Sequence, residues 1–339
     1  MAKMTTQPEE ERQLAELRYN PLLDDWTLVA SNRQHRPTMP KDFCPFCPGS
    51  GKVPDDYVVH SYNNDFPALM PEPPEPDPVG SALYRTEKSY GKCEVILYSP
   101  DHTATLPQLS VDHIEKLIDL WTERFVELSK NPHHQYVMIF ENRGEECGVT
   151  MPHPHGQIYA YSQMPLKIRT ELANCKRHHE KTGSCLICDM NREEQEFAQR
   201  VIHENEDFLA YLPFFTDYPY GLFIVSKRHM TALPDFTARE KRSLAEMLKE
   251  MTGAMDALFD RLFPYMMVLH QRPVAGESVE DYYHFHIEFY TPLREANKIK
   301  YYASSEMGAW AACNPHSVEE TAVKLREAHE RYLAKEGRR

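Results

Sequence analysis

His153 and His155 alternate in the segment Thr150-Met-Pro-His-Pro-His-Gly-Gln-Ile158. In an extended chain alternate side chains share a face, so two imidazoles aim at one spot. Gly156 permits close approach of a ligand or a second backbone, and Gln157 adds an amide donor beside it. The set suits a phosphorus centre, where one imidazole attacks while nearby donors hold the oxygens.

Eight cysteines include two Cys-x-x-Cys pairs, Cys44/Cys47 and Cys185/Cys188. In a reducing compartment such pairs serve metal or redox chemistry before disulfides. Pro45 lies inside the first pair, and Pro48, Gly49, Ser50 and Gly51 follow it. That fits a turn gripping zinc better than the helix start of a redox dithiol. His102 and His153 follow the first pair, and His229 and His284 follow the second in the same order. Two Cys2His2 sets result, each structural, because four protein ligands leave no position for water. A rival for the second metal is Glu171, His270, His286 and Glu288, a nitrogen and oxygen set able to hold iron or zinc. An ordinary hydrogen-bonded histidine is an equally simple account of His270. The four other cysteines show no ligand spacing and are expected to be buried thiols.

The elements that must position these groups recur. In the first half Cys44-Pro-Phe-Cys47 is followed by an apolar strand (Val95 to Tyr98), Ser99-Pro-Asp-His102, Thr105-Leu-Pro, an amphipathic helix, a strand from Tyr136 to Phe140, and His153-Pro-His155. The second half repeats the order: Cys185-Leu-Ile-Cys188, Leu222 to Val225, Ser226-Lys-Arg-His229, Ala232-Leu-Pro, a helix, Tyr265 to Leu269, and His284-Phe-His286. Ser110 caps the first helix, with Ile114, Leu117, Ile118, Trp121, Phe125 and Leu128 as its apolar stripe. Thr237 and Glu240 make a capping box for the second, with Leu244, Met247, Leu248, Met251, Met255 and Leu258 as the stripe. A third helix starts at Ser317, with Glu320 as box partner, and runs to about Leu333. Strands joined without helices imply antiparallel pairing, so each half is an α+β unit with one long helix. Pro71 to Pro78 forms a stiff loop.

The chain has 339 residues, enough for two domains, with 41% hydrophobic content to build cores. No apolar run reaches the length of a membrane span, and the first residues carry no signal region, so a soluble cytoplasmic protein is expected. A net charge of −13 argues against nucleic acid as partner.

In this order the motifs are specific: Asn20-Pro-Leu, Asn32-Arg-x-x-Arg-Pro37, Cys44-Pro-Phe-Cys47, Asn64-Asp-Phe66, Ser99-Pro-Asp-His102, Phe140-Glu-Asn-Arg-Gly144, Pro152-His-Pro-His-Gly-Gln157 and Phe289-Tyr-x-Pro292. The chain resembles the galactose-1-phosphate uridylyltransferases of the histidine-triad superfamily from about residue 17 to 335. The resemblance implies two tandem histidine-triad-like halves, each an antiparallel sheet with a long packed helix. Residues 1–162 would carry the nucleophile and a zinc site, 163–184 would connect, and 185–339 would carry a second metal site and hexose contacts. It implies that UDP-glucose gives UMP to a histidine, here His155, and that galactose 1-phosphate then takes it to form UDP-galactose. His153 becomes a zinc ligand with Cys44, Cys47 and His102, matching the grouping from spacing. Arg33 and Arg36 match arginines near the nucleotide phosphates, Asn64 and Asp65 a uridine- and ribose-holding pair, and Asn142 a phosphate contact. Lys300 and Glu306 match hexose-site residues. Without the resemblance these are ordinary surface charges and turn residues. Gln157 replaces the third histidine of the triad hydrolases, which favours transfer over hydrolysis. The pattern departs at Met151, an asparagine in many members, and at Val149-Thr150, where Thr150 keeps a hydroxyl for phosphate. It departs also at Ser305, in a tyrosine position, and at Glu288, in place of an iron-site histidine. A homodimer is implied, the partner completing the hexose site. A related adenylyltransferase or nucleotide-sugar phosphorylase is the alternative.

Overall fold

The computed structural model describes residues 15–31, 33 and 43–337; Arg36 lies outside the described residues. The first half runs β1 (Ala15–Asn20), β2 (Asp25–Ala30), β3 (His60–Asn63), β4 (Thr86–Lys88), β5 (Gly91–Leu97), α1 (Val111–Ser129), β6 (Tyr136–Arg143) and β7 (His155–Tyr161). Helices α2 (Leu166–Thr182) and α3 (Leu186–Phe197) follow. The second half runs β8 (Val201–Glu204), β9 (Phe208–Tyr211), β10 (Phe223–Ser226), α4 (Ala238–Phe259), β11 (Tyr265–His270), β12 (His286–Tyr290), β13 (Leu293–Glu295), β14 (Lys298–Ile299), α5 (Ser304–Ala309) and α6 (Val318–Lys335).

The α+β organisation, antiparallel sheets and long packed helices are as expected, with one addition. The two halves share a single nine-stranded sheet, in the order β3-β5-β7-β6-β11-β12-β10-β9-β8. The junction is the antiparallel pair β6–β11, where Phe140 faces Val268. About that pair the order is symmetric: β7 corresponds to β12, β5 to β10 and β3 to β9. A smaller sheet, β2-β1-β4, packs Leu28 and Ala30 against the cluster of Ala68, Leu69, Cys93 and Tyr159.

Both helix stripes are realised. Ser110 accepts from the His113 N–H, and Ile114, Leu117, Ile118, Trp121, Phe125 and Leu128 of α1 are buried. Thr237 and Glu240 cap α4 reciprocally, the Glu240 carboxylate accepting from the Thr237 N–H at 2.8 Å. Each such apolar side chain contributes about 1.5–3 kcal/mol on burial, which locks both helices onto one sheet face. Ser317 caps α6, which lies on α4. Gly253 of α4 makes that approach possible, because a Cβ there would stand 2.4 Å from the Tyr332 ring.

Strand alternation then sorts the chemistry. Ile139, Ile158 and Ile287 join the core with the stripes of α1 and α4. Asn142, His155 and Gln157, with His270, His286 and Glu288, therefore point to the opposite face.

Candidate active site and metal clusters

β7 begins at His155, whose Nδ1 lies 2.8 Å from the His153 carbonyl oxygen. A carbonyl only accepts, so Nδ1 carries the proton and the lone pair sits on Nε2. The Pro154 carbonyl accepts from the Tyr98 N–H at 3.0 Å, which ties the His-Pro-His segment to the end of β5. Gly156 is required by packing: a Cβ there would stand 2.3 Å from the Tyr98 hydroxyl and 3.0 Å from the Phe140 carbonyl. The close neighbour is thus a buried tyrosine rather than a ligand. The Gln157 side-chain oxygen accepts from the Tyr159 hydroxyl at 3.3 Å, leaving its NH2 group as the donor end.

A cavity of about 380 Å3 opens at the start of β7, lined by His155, Asn142 and Thr150 together with Glu141, Arg143 and Arg261. Three of the expected site residues therefore share one space. Gln157 lies outside the lining but on the same strand face as His155. The charge of Arg33 acts on Cys93 and Tyr161, at the far end of β7. Asn64 and Asp65 form the turn after β3, Asn64 accepting from the Phe66 N–H at 2.8 Å and Asp65 pairing with Lys52 at 3.2 Å. Lys300 pairs with Glu306 at 3.5 Å and donates to the Asp217 carbonyl, in the second half and outside the lining of the cavity.

Both cysteine–histidine sets converge. Cys44 Sγ lies 3.6 Å from His153 Nδ1, and Cys47 Sγ lies 3.5 Å from His102 Nδ1. Cys188 Sγ lies 3.4 Å from His229 Nδ1 and 3.3 Å from His284 Nδ1. A tetrahedral zinc ion holds sulfur and nitrogen ligands roughly 3.6 Å apart, so the spacing fits. The tautomers fit as well. His153 Nε2 lies 2.8 Å from the Ser99 carbonyl, His284 Nε2 2.9 Å from the Ser226 carbonyl, and His229 Nε2 2.7 Å from the Glu280 carbonyl. Each proton is therefore on Nε2 and each lone pair on Nδ1, facing the thiols. Burial pushes His153 down to about 4, which keeps that ring neutral. The first pair lies in a turn, as expected; Cys185 instead stands at the N-cap position of α3, without a side-chain capping bond. A hydrogen bond from the Cys188 thiol holds the Cys185 thiol far below its ordinary value. The helix terminus favours the thiolate too.

Glu171, His270, His286 and Glu288 also gather, so the two candidates for the second metal are neighbours rather than exclusive alternatives. His270 Nδ1 lies 2.9 Å from Glu171, and His286 Nε2 lies 3.3 Å from Glu288. This set carries a built-in counter-charge: Lys167 Nζ lies 2.5 Å from Glu288 and 2.7 Å from the Tyr290 hydroxyl. Burial opposes the ammonium, but Glu288 and Glu171 outweigh it and hold Lys167 above its ordinary value. In the cysteine sets the charge of Arg192 reaches Cys188, but no ammonium is bonded within either set among the described residues, and they fit a metal better.

Sequence reasoning did not foresee Lys167, nor the buried acid Glu141 on the strand beside His155. Glu141 is buried on the helix side of β6, 3.3 Å from the Tyr265 hydroxyl, and burial pushes its carboxyl up to about 7. Alternation along β6 held that signal, since Asn142 on one face places Glu141 on the other.

The galactose-1-phosphate uridyl transferase N-terminal domain family matches residues 4–165, and the corresponding C-terminal domain family matches residues 171–332. A galactose-1-phosphate uridylyltransferase of Thermotoga maritima is 41% identical over 315 residues, covering 93% of this chain and 98% of that protein. A solved uridylyltransferase structure superposes with a TM-score of 0.86 at 32% identity, covering 94% of this chain and 99% of that one. The fold also matches an Arabidopsis thaliana ADP-glucose phosphorylase, with a TM-score of 0.73 at 24% identity and coverage of 93% and 99%.

Proposed function

The chain belongs to the galactose-1-phosphate uridylyltransferase family, and on that premise we propose that it moves UMP from UDP-glucose to galactose 1-phosphate through a uridylyl-His155 intermediate. The observation that carries the assignment is the bond between His155 Nδ1 and the His153 carbonyl. It fixes the tautomer that makes Nε2 the nucleophile. His155 Nε2 attacks the α-phosphorus, and the bond to glucose 1-phosphate breaks with its electron pair leaving on that oxygen. A phosphate oxygen of galactose 1-phosphate then attacks the same phosphorus, and the P–N pair returns to Nε2. Between the steps the ring is cationic, and the same carbonyl stabilises its N–H. Gln157, Thr150 and Asn142 would supply donors for the phosphoryl oxygens.

Cys44, Cys47, His102 and His153 would hold one structural zinc, and Cys185, Cys188, His229 and His284 a second. Each ion would supply rigidity. His153 serves both purposes, its ring directed at the thiols and its carbonyl at His155, so cluster geometry sets the angle of the nucleophile. The Glu171 set, with iron or zinc, ranks behind these because of Lys167.

Arg33, Arg36, Asn64 and Asp65 would take the nucleotide. Lys300 and Glu306, outside the lining of their own chain's cavity, would serve a hexose across a homodimer. Exposed Phe214, Phe215, Tyr301, Met307 and Trp310 supply apolar surface in that region. Residues 1–162 and 185–339 are then the working halves, joined by 163–184. We place the enzyme in the cytoplasm, where its free thiols persist.

The test is mass spectrometry after mixing with UDP-glucose or with ADP-glucose. The peptide carrying residue 155 should gain one UMP from the first and nothing from the second. His155→Gly should abolish exchange with the fold intact. Turnover without an adduct on residue 155 would refute the assignment. Light scattering that finds only monomer, with full activity, would refute the shared hexose site.

A further inference from the structure

Away from the cavity and the clusters above, His203 of β8, Glu250 of α4 and His329 of α6 bring three donor atoms within 4.8 Å of one another. His329 Nε2 lies 2.9 Å and His203 Nε2 3.4 Å from the same carboxylate oxygen, Glu250 Oε2. The ring centroids are 4.7 Å apart. Glu250 and His329 are buried, while the His203 side chain is 29% exposed and gives an entry path.

We infer that His203, Glu250 and His329 form a divalent-cation site of the zinc class that ties α6 to α4 and to the edge of the sheet. Donors about 2.1 Å from one ion stand roughly 3.0 Å apart in octahedral and 3.4 Å apart in tetrahedral geometry. The two nitrogen–oxygen separations span that range, and an ion would take the place of the proton that His329 now shares with Glu250. Two imidazoles and one carboxylate form a nitrogen-rich set that selects zinc, cobalt or nickel over calcium or magnesium. Three protein ligands leave a position for water, reached past His203. β8 ends the nine-strand order and α6 lies in the outer helical layer, so the ion would brace rather than catalyse.

The protein as isolated is dialysed against excess Zn2+, and zinc per chain is counted for wild type, His203→Asn and His329→Asn. Either variant should hold one ion fewer. Hydrogen exchange within α6, on the same samples, gives a local readout. At zinc 100-fold above its Kd, exchange through opening of α6 should slow about 100-fold in wild type and not at all in the variants. His203→Asn, at a partly exposed position, keeps the test open if His329→Asn fails to fold. Equal zinc in wild type and His203→Asn, or α6 protection in wild type that zinc leaves unchanged, overturns the assignment.

Discussion

Replacing Gly156 by alanine tests how His155, the proposed nucleophile, is held. The residue sits between His155 and Gln157, and the new Cβ would stand 2.3 Å from the Tyr98 hydroxyl oxygen and 3.0 Å from both Tyr98 Cζ and the Phe140 carbonyl. Tyr98 is 1% exposed and packs edge-on against the fully buried Trp121, so it has no room to swing aside. Overpacking of this kind costs about 1–3 kcal/mol, and the smaller entropy of the unfolded alanine chain returns about 0.4–1 kcal/mol. The net expectation is a loss of about 1–2 kcal/mol in urea denaturation. Strand displacement beside the nucleophile should lower kcat by about 10- to 100-fold, since misplacement of the order of 1 Å costs that much. Tyr98→Phe in the same chain removes the oxygen at 2.3 Å but leaves the carbon at 3.0 Å, so it should restore roughly half of each loss. If Gly156→Ala denatures and turns over like wild type, or if Tyr98→Phe restores nothing, the packing account of this glycine is wrong.

Cys44→Ser should lose one zinc per chain by metal analysis and lower the denaturation midpoint, because a structural ligand is removed; unchanged zinc would mean the first cluster is misassigned. Burial raises the Glu141 carboxyl from 4.5 to about 7, so between those values the unfolded chain releases a proton that the folded chain keeps. Stability should therefore fall by about 3 kcal/mol as pH rises through that window, and the unfolding free energy of Glu141→Gln relative to wild type should climb over the same range. A flat difference between pH 4.5 and 7 would contradict the burial of an ionisable acid there. Buried Arg143 forms two bonds of 2.8 Å with Asp256, and Asp256→Ala should cost about 3 kcal/mol by chemical denaturation, leaving the guanidinium without its partner.

What the sequence carried well was local or repeated. Helix stripes and caps depend on residues three and four apart, and Ser110, Thr237 and Ser317 all cap where their spacing places them. The two cysteine–histidine sets were legible because their order recurs in both halves. The β6–β11 pairing was not, since hydrogen bonds between strands more than a hundred residues apart leave no mark on periodicity. Cys185 at a helix start was missed for a different reason: the turn residues that follow Cys47 have no counterpart after Cys188. His203, Glu250 and His329 are scattered through the second half, and only the packing of α6 on α4 brings them together. Lys167, in a segment expected only to connect, was invisible as a partner for Glu288.

The symmetry of the sheet also accounts for placing the proposed phosphorus chemistry in one half and not in the other. Through the β6–β11 junction and the matching registers, His286 occupies the place of His155, Glu288 that of Gln157, and His270 that of Asn142. His286 is even oriented alike, with Nδ1 2.9 Å from the His284 carbonyl. The difference lies in charge. At the matching strand positions the first half presents the amides Asn142 and Gln157, which in the proposed reaction would donate to phosphoryl oxygens without adding negative charge. The second presents Glu288 and Glu171, and carboxylates a few ångströms from an α-phosphate would repel it by several kcal/mol at the effective dielectric of a partly buried site. A cation is the natural occupant there, and the ammonium of Lys167 already fills that role. One scaffold thus suits an anion in one half and a cation in the other, and the change rests on Glu288 in place of Gln157, His270 in place of Asn142, and the added carboxylate of Glu171 from α2.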